Sequence, residues 1–243
     1  MLLARFLGVR RYLGLVSRVF LILMLSGFFR KKYPEYHFVR DHVKAGWYCI
    51  DIGANLGYFT TVISRSAGTS GLVIAVEPVK LFNEVLKSNV QSFGLKNVEL
   101  YPYALGGEET EITMGTPVKE GVFRHGLTKV MESGEENLDE TYRVEMKVPD
   151  DLFSDLPRLD FVKCDVEGYE TAIFPHFLKV IEKHLPVLQI EISDQERRKN
   201  IWHLLKPYGY QAYGLVNNSL SLLSYDQMLS WTESDLYFVS SGS

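Results

Sequence analysis

The sequence predicts a doubly wound α/β domain: a mostly parallel sheet with helices on both faces, an antiparallel hairpin at its C-terminal edge and a β-rich insertion. Three observations predict it. From residue 47 onward, short apolar runs of strand length alternate with longer stretches whose apolar residues recur at helical spacing. Two of those runs end in an aspartate, Asp51 and Asp165, with a glycine two or three residues later, where a strand would turn into a helix. A length of 243 residues with 46% hydrophobic content is enough for one core of this kind and excludes a wholly disordered chain.

Residues 1–34 stand apart. Arg5, Arg10, Arg11, Arg18, Arg30, Lys31 and Lys32 meet no acid there, whereas the remainder holds 19 basic and 30 acidic residues. So acidic a remainder offers no basic groove for phosphates, and no nucleic-acid partner is expected. The apolar run 19–29 would reach only about 16 Å as a helix, half of a ~30 Å hydrocarbon core, so it is not expected to span. No small-residue cleavage site follows it, against a signal peptide. Arg11, Gly14 and Arg18 share one helical face, so the first half is amphipathic. The segment is expected to lie on an anionic membrane surface, with a packed helical cap as the alternative. The division is thus 1–34 and a catalytic domain 35–243 with an insertion at about 106–150.

Residues 47–51 read as the first strand. The helix after it starts at about Gly57, buries Phe59, Val62, Ile63 and Ala67, and stops at Gly68. The second strand is 72–77, and Leu81, Phe82, Val85, Leu86 and Phe93 give the next helix its stripe. After the third strand, 98–103, residues 106–140 hold nine acids against three bases with little periodicity. Tyr142, Val144, Met146 and Val148 then alternate with charged residues, a half-buried strand antiparallel to one near Ile112 and Met114. Residues 159–165 resume the sheet, Pro175 opens a helix running to His184, 187–192 is a fifth core strand, and Asp194 caps a further helix. Strands 210–216 and 236–240, with a turn at Asn217 and Asn218, make the edge hairpin. Cys49 and Cys164 fall within apolar runs; they read as small buried hydrophobes of a chain in a reducing, cytoplasmic compartment.

The strongest chemical signal is the stretch from Cys49 to Phe59: an acid ending an apolar strand, then Gly53, Ala54, Asn55, Gly57 and Tyr58 as a turn that opens a helix. Its glycines permit close backbone approach, and the helix start presents free N–H groups. A nicotinamide dinucleotide site would want glycines at 55 and 58, and Asp51 would point an anion at the diphosphate. S-adenosylmethionine carries no phosphate but has an ammonium and a sulfonium, which Asp51 complements. Twenty-six residues after Asp51, the second strand ends in Glu77-Pro78, where such folds place an acid for ribose hydroxyls. Asp165 ends another core strand and is expected in the same crevice, since ligands of open α/β sheets bind at the strands' carboxyl ends.

Together these blocks resemble the FkbM-type methyltransferases. Asp51 to Phe59, Glu77-Pro78 and Asp165 to Glu170 match the family's three blocks in order, and Tyr103-Ala104-Leu105-Gly106 resembles a smaller fourth. The resemblance covers about 45–195 and implies a Rossmann-like class I methyltransferase that binds S-adenosylmethionine and methylates a hydroxyl of a sugar, glycolipid or small-molecule acceptor.

Methyl transfer to a hydroxyl needs alignment, exclusion of water and removal of a proton. Asp165 and Glu191, at the ends of adjacent strands, are the expected catalytic residues. Two converging carboxylates would also suit Mg²⁺ as an assisting cation. His125, in the insertion, could reach the acceptor. The alternatives are N-methylation on the same scaffold and a non-catalytic membrane adaptor that keeps the fold.

Overall fold

A computed structural model of the protein describes residues 8–116, 118–119, 122–123, 129–130 and 140–241. In chain order its first elements are α1 (Val9–Leu25), α2 (Pro34–His42), β1 (Tyr48–Ile52), α3 (Tyr58–Ala67), β2 (Leu72–Val76), α4 (Lys80–Ser92) and β3 (Val98–Tyr101). A strand-rich stretch follows: β4 (Ala104–Leu105), β5 (Thr110–Thr116), β6 (Val118–Lys119), β7 (Val122–Phe123), β8 (Lys129–Val130) and β9 (Glu140–Lys147). Next come α5 (Pro149–Leu152), β10 (Phe161–Cys164), α6 (Glu170–Ile173), α7 (Leu178–His184), β11 (Val187–Glu191) and α8 (Gln195–Leu205). The chain ends with β12 (Tyr210–Val216), β13 (Ser219–Leu222), α9 (Tyr225–Leu229) and β14 (Asp235–Ser240).

The main sheet has the order β13-β12-β14-β11-β10-β1-β2-β3. Strands β11, β10, β1, β2 and β3 pair in parallel, and β14, β12 and β13 add an antiparallel edge. The parallel strands are buried and mostly apolar because helices cover both faces. Ile50, Ile52, Val162, Leu188 and Ile190 pack on one side with Phe174, Phe177, Ile201 and Leu205. Cys49, Val73, Phe161 and Val187 pack on the other with Met24, Tyr36, Val39 and Val62 from α1, α2 and α3. From β1 the chain proceeds to β2 on one side and later returns to β10 on the other. That switch opens a crevice at the carboxyl end of β1.

A second sheet, β4-β9-β5-β8, holds the antiparallel pair expected in the insertion, with Ile112 opposite Val144 and Met114 opposite Tyr142. Two expectations change. Strands 210–216 and 236–240 pair antiparallel as expected, as β12 and β14, but the turn at Asn217 and Asn218, both with positive φ, leads into an added strand, β13, on the other edge of β12. The helix expected from Pro175 to His184 starts later: Pro175 sits in a 3₁₀ turn, Phe174–His176, that follows α6, and α7 begins only at Leu178.

The inner face of α1 buries Leu13, Gly14, Ser17, Leu21 and Met24. Asn89 of α4 ties it down: Nδ2 donates to the Ser17 hydroxyl at 2.9 Å and to the Leu56 carbonyl at 2.8 Å. The inner face is thus a packed cap. Among the described residues no helix is long and apolar enough to cross a membrane.

Candidate active site

The turn after β1 is built on two glycines. Gly53 has φ 77°, and a Cβ there would collide with the Asp165 carbonyl oxygen, so only glycine lets the ends of β1 and β10 close on each other. Gly57, at φ 87°, would meet the Leu86 side chain. Glu77, at the end of β2, holds the turn in shape: Oε2 accepts the Asn55 backbone N–H and Oε1 that of Val79, both at 2.8 Å. Burial pushes its carboxyl up to about 7, against the pull of those two bonds.

Gly53, Asn55, Glu77, Pro78, Ala104 and Asp165 line one crevice, joined by Val79, Phe82, Tyr103, Met114, Val166 and Tyr169. The other expected cofactor residues stand outside its lining. Asp51 is buried behind the turn; its Oδ2 accepts the Thr60 hydroxyl at 2.6 Å and its Oδ1 has no partner among the described residues. Burial raises its pKa, opposed by the Lys163 ammonium. Ala54 packs with Ala75 and Leu86. Tyr58 sits edge-on to Phe20, with ring centroids 4.9 Å apart. Phe59 lies under the Lys163 ammonium, 4.5 Å from its ring centroid.

Lys163 is a residue that the sequence reading missed. It is 3% exposed, and its Nζ lies 3.2 Å from Asp165 Oδ2. Strand register explains the meeting. Asp51 pairs with Lys163, Lys163 with Gln189, and Glu191 with Asp235, so these polar side chains share one sheet face at the carboxyl end. Burial pulls the Lys163 pKa down, but the carboxylates of Asp165, Asp51, Asp235 and Glu191 outweigh it and hold the ammonium above the usual lysine range. Glu191 is pushed up to about 7, first by burial and then by the charge of Asp165; its Oε1 accepts the Ser234 hydroxyl at 3.1 Å.

Asp165, Glu167, Glu191 and Arg197 line a small pocket that adjoins the crevice at Asp165. Beyond Glu191 lies a cavity of about 540 Å³, walled by Tyr33, Glu35, Phe59, Lys163 and Asp235 and edged by Lys31 and Lys32. Asp165 and Glu191 thus line one pocket, but among the described residues no three His, Cys, Asp or Glu are placed to hold a metal ion. The cation that Asp165 meets is Lys163, and the site gives Mg²⁺ no support. His125 lies outside the described residues. The signal that could have found Lys163 is a lysine inside an apolar strand, two residues before Asp165 and therefore on its face.

The doubly wound sheet, with a glycine turn and strand-end acids at its switch point, defines the class: a Rossmann-like, class I methyltransferase fold. The chain belongs to the methyltransferase FkbM domain family, whose model matches residues 51–213. It is similar to the crystal structure of a methyltransferase FkbM from Methylobacillus flagellatus, with TM-score 0.52 and 16% identity over 80% of this chain and 44% of that one. It is also 33% identical to a protein-L-isoaspartate O-methyltransferase of Thermotoga maritima over 31% of this chain and 29% of that protein. The chain therefore spans less than half the length of either relative.

Proposed function

We propose that the protein transfers the methyl group of S-adenosylmethionine to a hydroxyl oxygen of a sugar, glycolipid or other small acceptor. The site's own chemistry fits that cofactor. Gly53 leaves room where a Cβ would close the turn, and the crevice beside it is lined by the acids Glu77 and Asp165, suited to a donor that carries an ammonium and a sulfonium. When bound, the cofactor supplies an electrophilic methyl; the residues must place an oxygen in line with it, exclude water and take a proton.

The observation that carries the hydroxyl reading is Glu191. It stands between the Asp165 pocket and the large cavity, with its carboxyl raised to about 7. A base of that strength takes a proton from a hydroxyl as it attacks, whereas a neutral amine attacks without prior help. Asp165, paired to Lys163, is the group that joins crevice and acceptor side. The same reading places the protein in a reducing, cytoplasmic compartment, at the membrane periphery through residues 1–34. Labelled-methyl transfer from S-adenosylmethionine to paired hydroxyl and amine acceptors is the test. Transfer to hydroxyls supports the reading, and exclusive transfer to amines assigns N-methylation instead.

A further inference from the structure

Among the described residues the outer face of α1 has no partner. Among the described residues, eight large apolar side chains stand exposed, and six of them fall between Val9 and Phe28. Leu15, Val19 and Ile22, at 50%, 51% and 58% exposure, recur at helical spacing opposite the buried stripe. A helix apolar on both faces belongs against apolar matter on both.

Charge selects the occupant. Residues 1–34 hold seven cations and no acid, and Arg11, Lys31 and Lys32 are exposed. A second copy docking through the same patch would set these cations against themselves, whereas an anionic lipid surface complements them. The face also continues into the site. Phe28, 73% exposed, has its ring centroid 5.0 Å from that of Phe29, which lies 5.9 Å from that of Tyr33 in the wall of the 540 Å³ cavity.

We propose that the outer face of α1, with Phe28 and the cations at 30–32, docks on an anionic bilayer surface and turns the rim of the Lys163 cavity toward it, so that the acceptor is an amphiphile whose hydroxylated head group is drawn from that surface. The acceptor class rests on the methyl-transfer reading; the docking does not.

Flotation of the full chain with phosphatidylcholine vesicles, with and without phosphatidylglycerol, tests the docking. Binding should require phosphatidylglycerol and weaken as salt screens the cations. The double variant Val19→Ser/Ile22→Ser should lose about tenfold or more in partitioning, the order expected for removing two aliphatic side chains from an apolar contact, while its melting temperature stays near the parent's. A fluorophore at Lys32→Cys should be quenched by nitroxide-labelled lipid and one at Lys199→Cys, on α8, should not; the native cysteines are buried. Flotation of the double variant equal to the parent's, no flotation of the parent, or equal quenching at both sites would overturn the proposal. A concentration-dependent dimer that the double variant abolishes, without flotation, would give the face to a second copy. Calorimetry with S-adenosylmethionine on the same preparations separates the two readings: lost cofactor binding with intact flotation sinks methyl transfer and its acceptor class, and leaves the docking.

Discussion

Asp165 belongs to both the crevice and the pocket that leads to Glu191, so its replacement separates binding from chemistry. Asp165→Asn keeps size and removes charge. It should lose mainly turnover, with affinity for S-adenosylmethionine changing less, as steady-state kinetics and calorimetry on the one variant would show. Loss confined to affinity would make Asp165 a cofactor partner alone. Glu191, raised to about 7, should give a rate limb that climbs as pH passes through about 7, and Glu191→Gln should remove that limb. An unchanged pH–rate profile in that variant would take the base role from it. The strand-end acids were legible because an acid closing an apolar strand before a glycine has few other uses. The role of Glu77 in holding the turn was not, since backbone N–H partners depend on how the chain folds back from Asn55 and Val79. Lys163 was hidden for a similar reason: beside Asp165, two residues on, the acids that hold its charge, Asp51, Glu191 and Asp235, lie on three other strands.

At the scale of elements, the turn between β1 and α3 and the packing of α1 carry separate predictions. Gly53→Ala forces a side chain onto left-handed backbone against the Asp165 carbonyl, at a cost of about 1–3 kcal/mol or more, and should lower the melting temperature. A melting temperature equal to the parent's would mean that the turn is looser than its glycine implies. Leu21, fully buried under α1, should cost about 2–5 kcal/mol on truncation to alanine if the cap is part of the cooperative core, read by denaturant titration. Little change would detach α1 from that core. The helices could be read from their apolar stripes and the core strands from short, mostly apolar runs, because helices bury both faces of the parallel strands. Strand β13 was not: Ser219–Leu222 alternates serine and leucine over only four residues, and at the sheet edge Leu222 stays exposed, so the turn at Asn217 and Asn218 is the clearer hint. From Val19 on, α1 was visible as apolar all round, yet the face that packs on α4 is marked only by the Ser17–Asn89 contact, 72 residues away.

For the whole molecule, buried carboxyls set the response to pH. Glu35, Glu77, Glu167 and Glu191 are each held up to about 7 chiefly by burial. Each adds stability that is fully present below the ordinary value of 4.5 and is lost as pH rises through about 7, because the native state keeps protons that the unfolded chain releases. His37, His42 and His184, lowered by burial, oppose this in the acid part of that window. Glu35→Gln should therefore flatten the fall in melting temperature toward pH 7, and an unchanged slope would deny Glu35 its buried proton. The central claim, that the crevice at the switch point is built for S-adenosylmethionine, is tested most directly by calorimetric titration with that cofactor and, separately, with NAD. The account predicts that S-adenosylmethionine binds, that NAD does not, and that Glu77→Ala weakens the binding by about 1–3 kcal/mol. NAD binding without S-adenosylmethionine binding would contradict it.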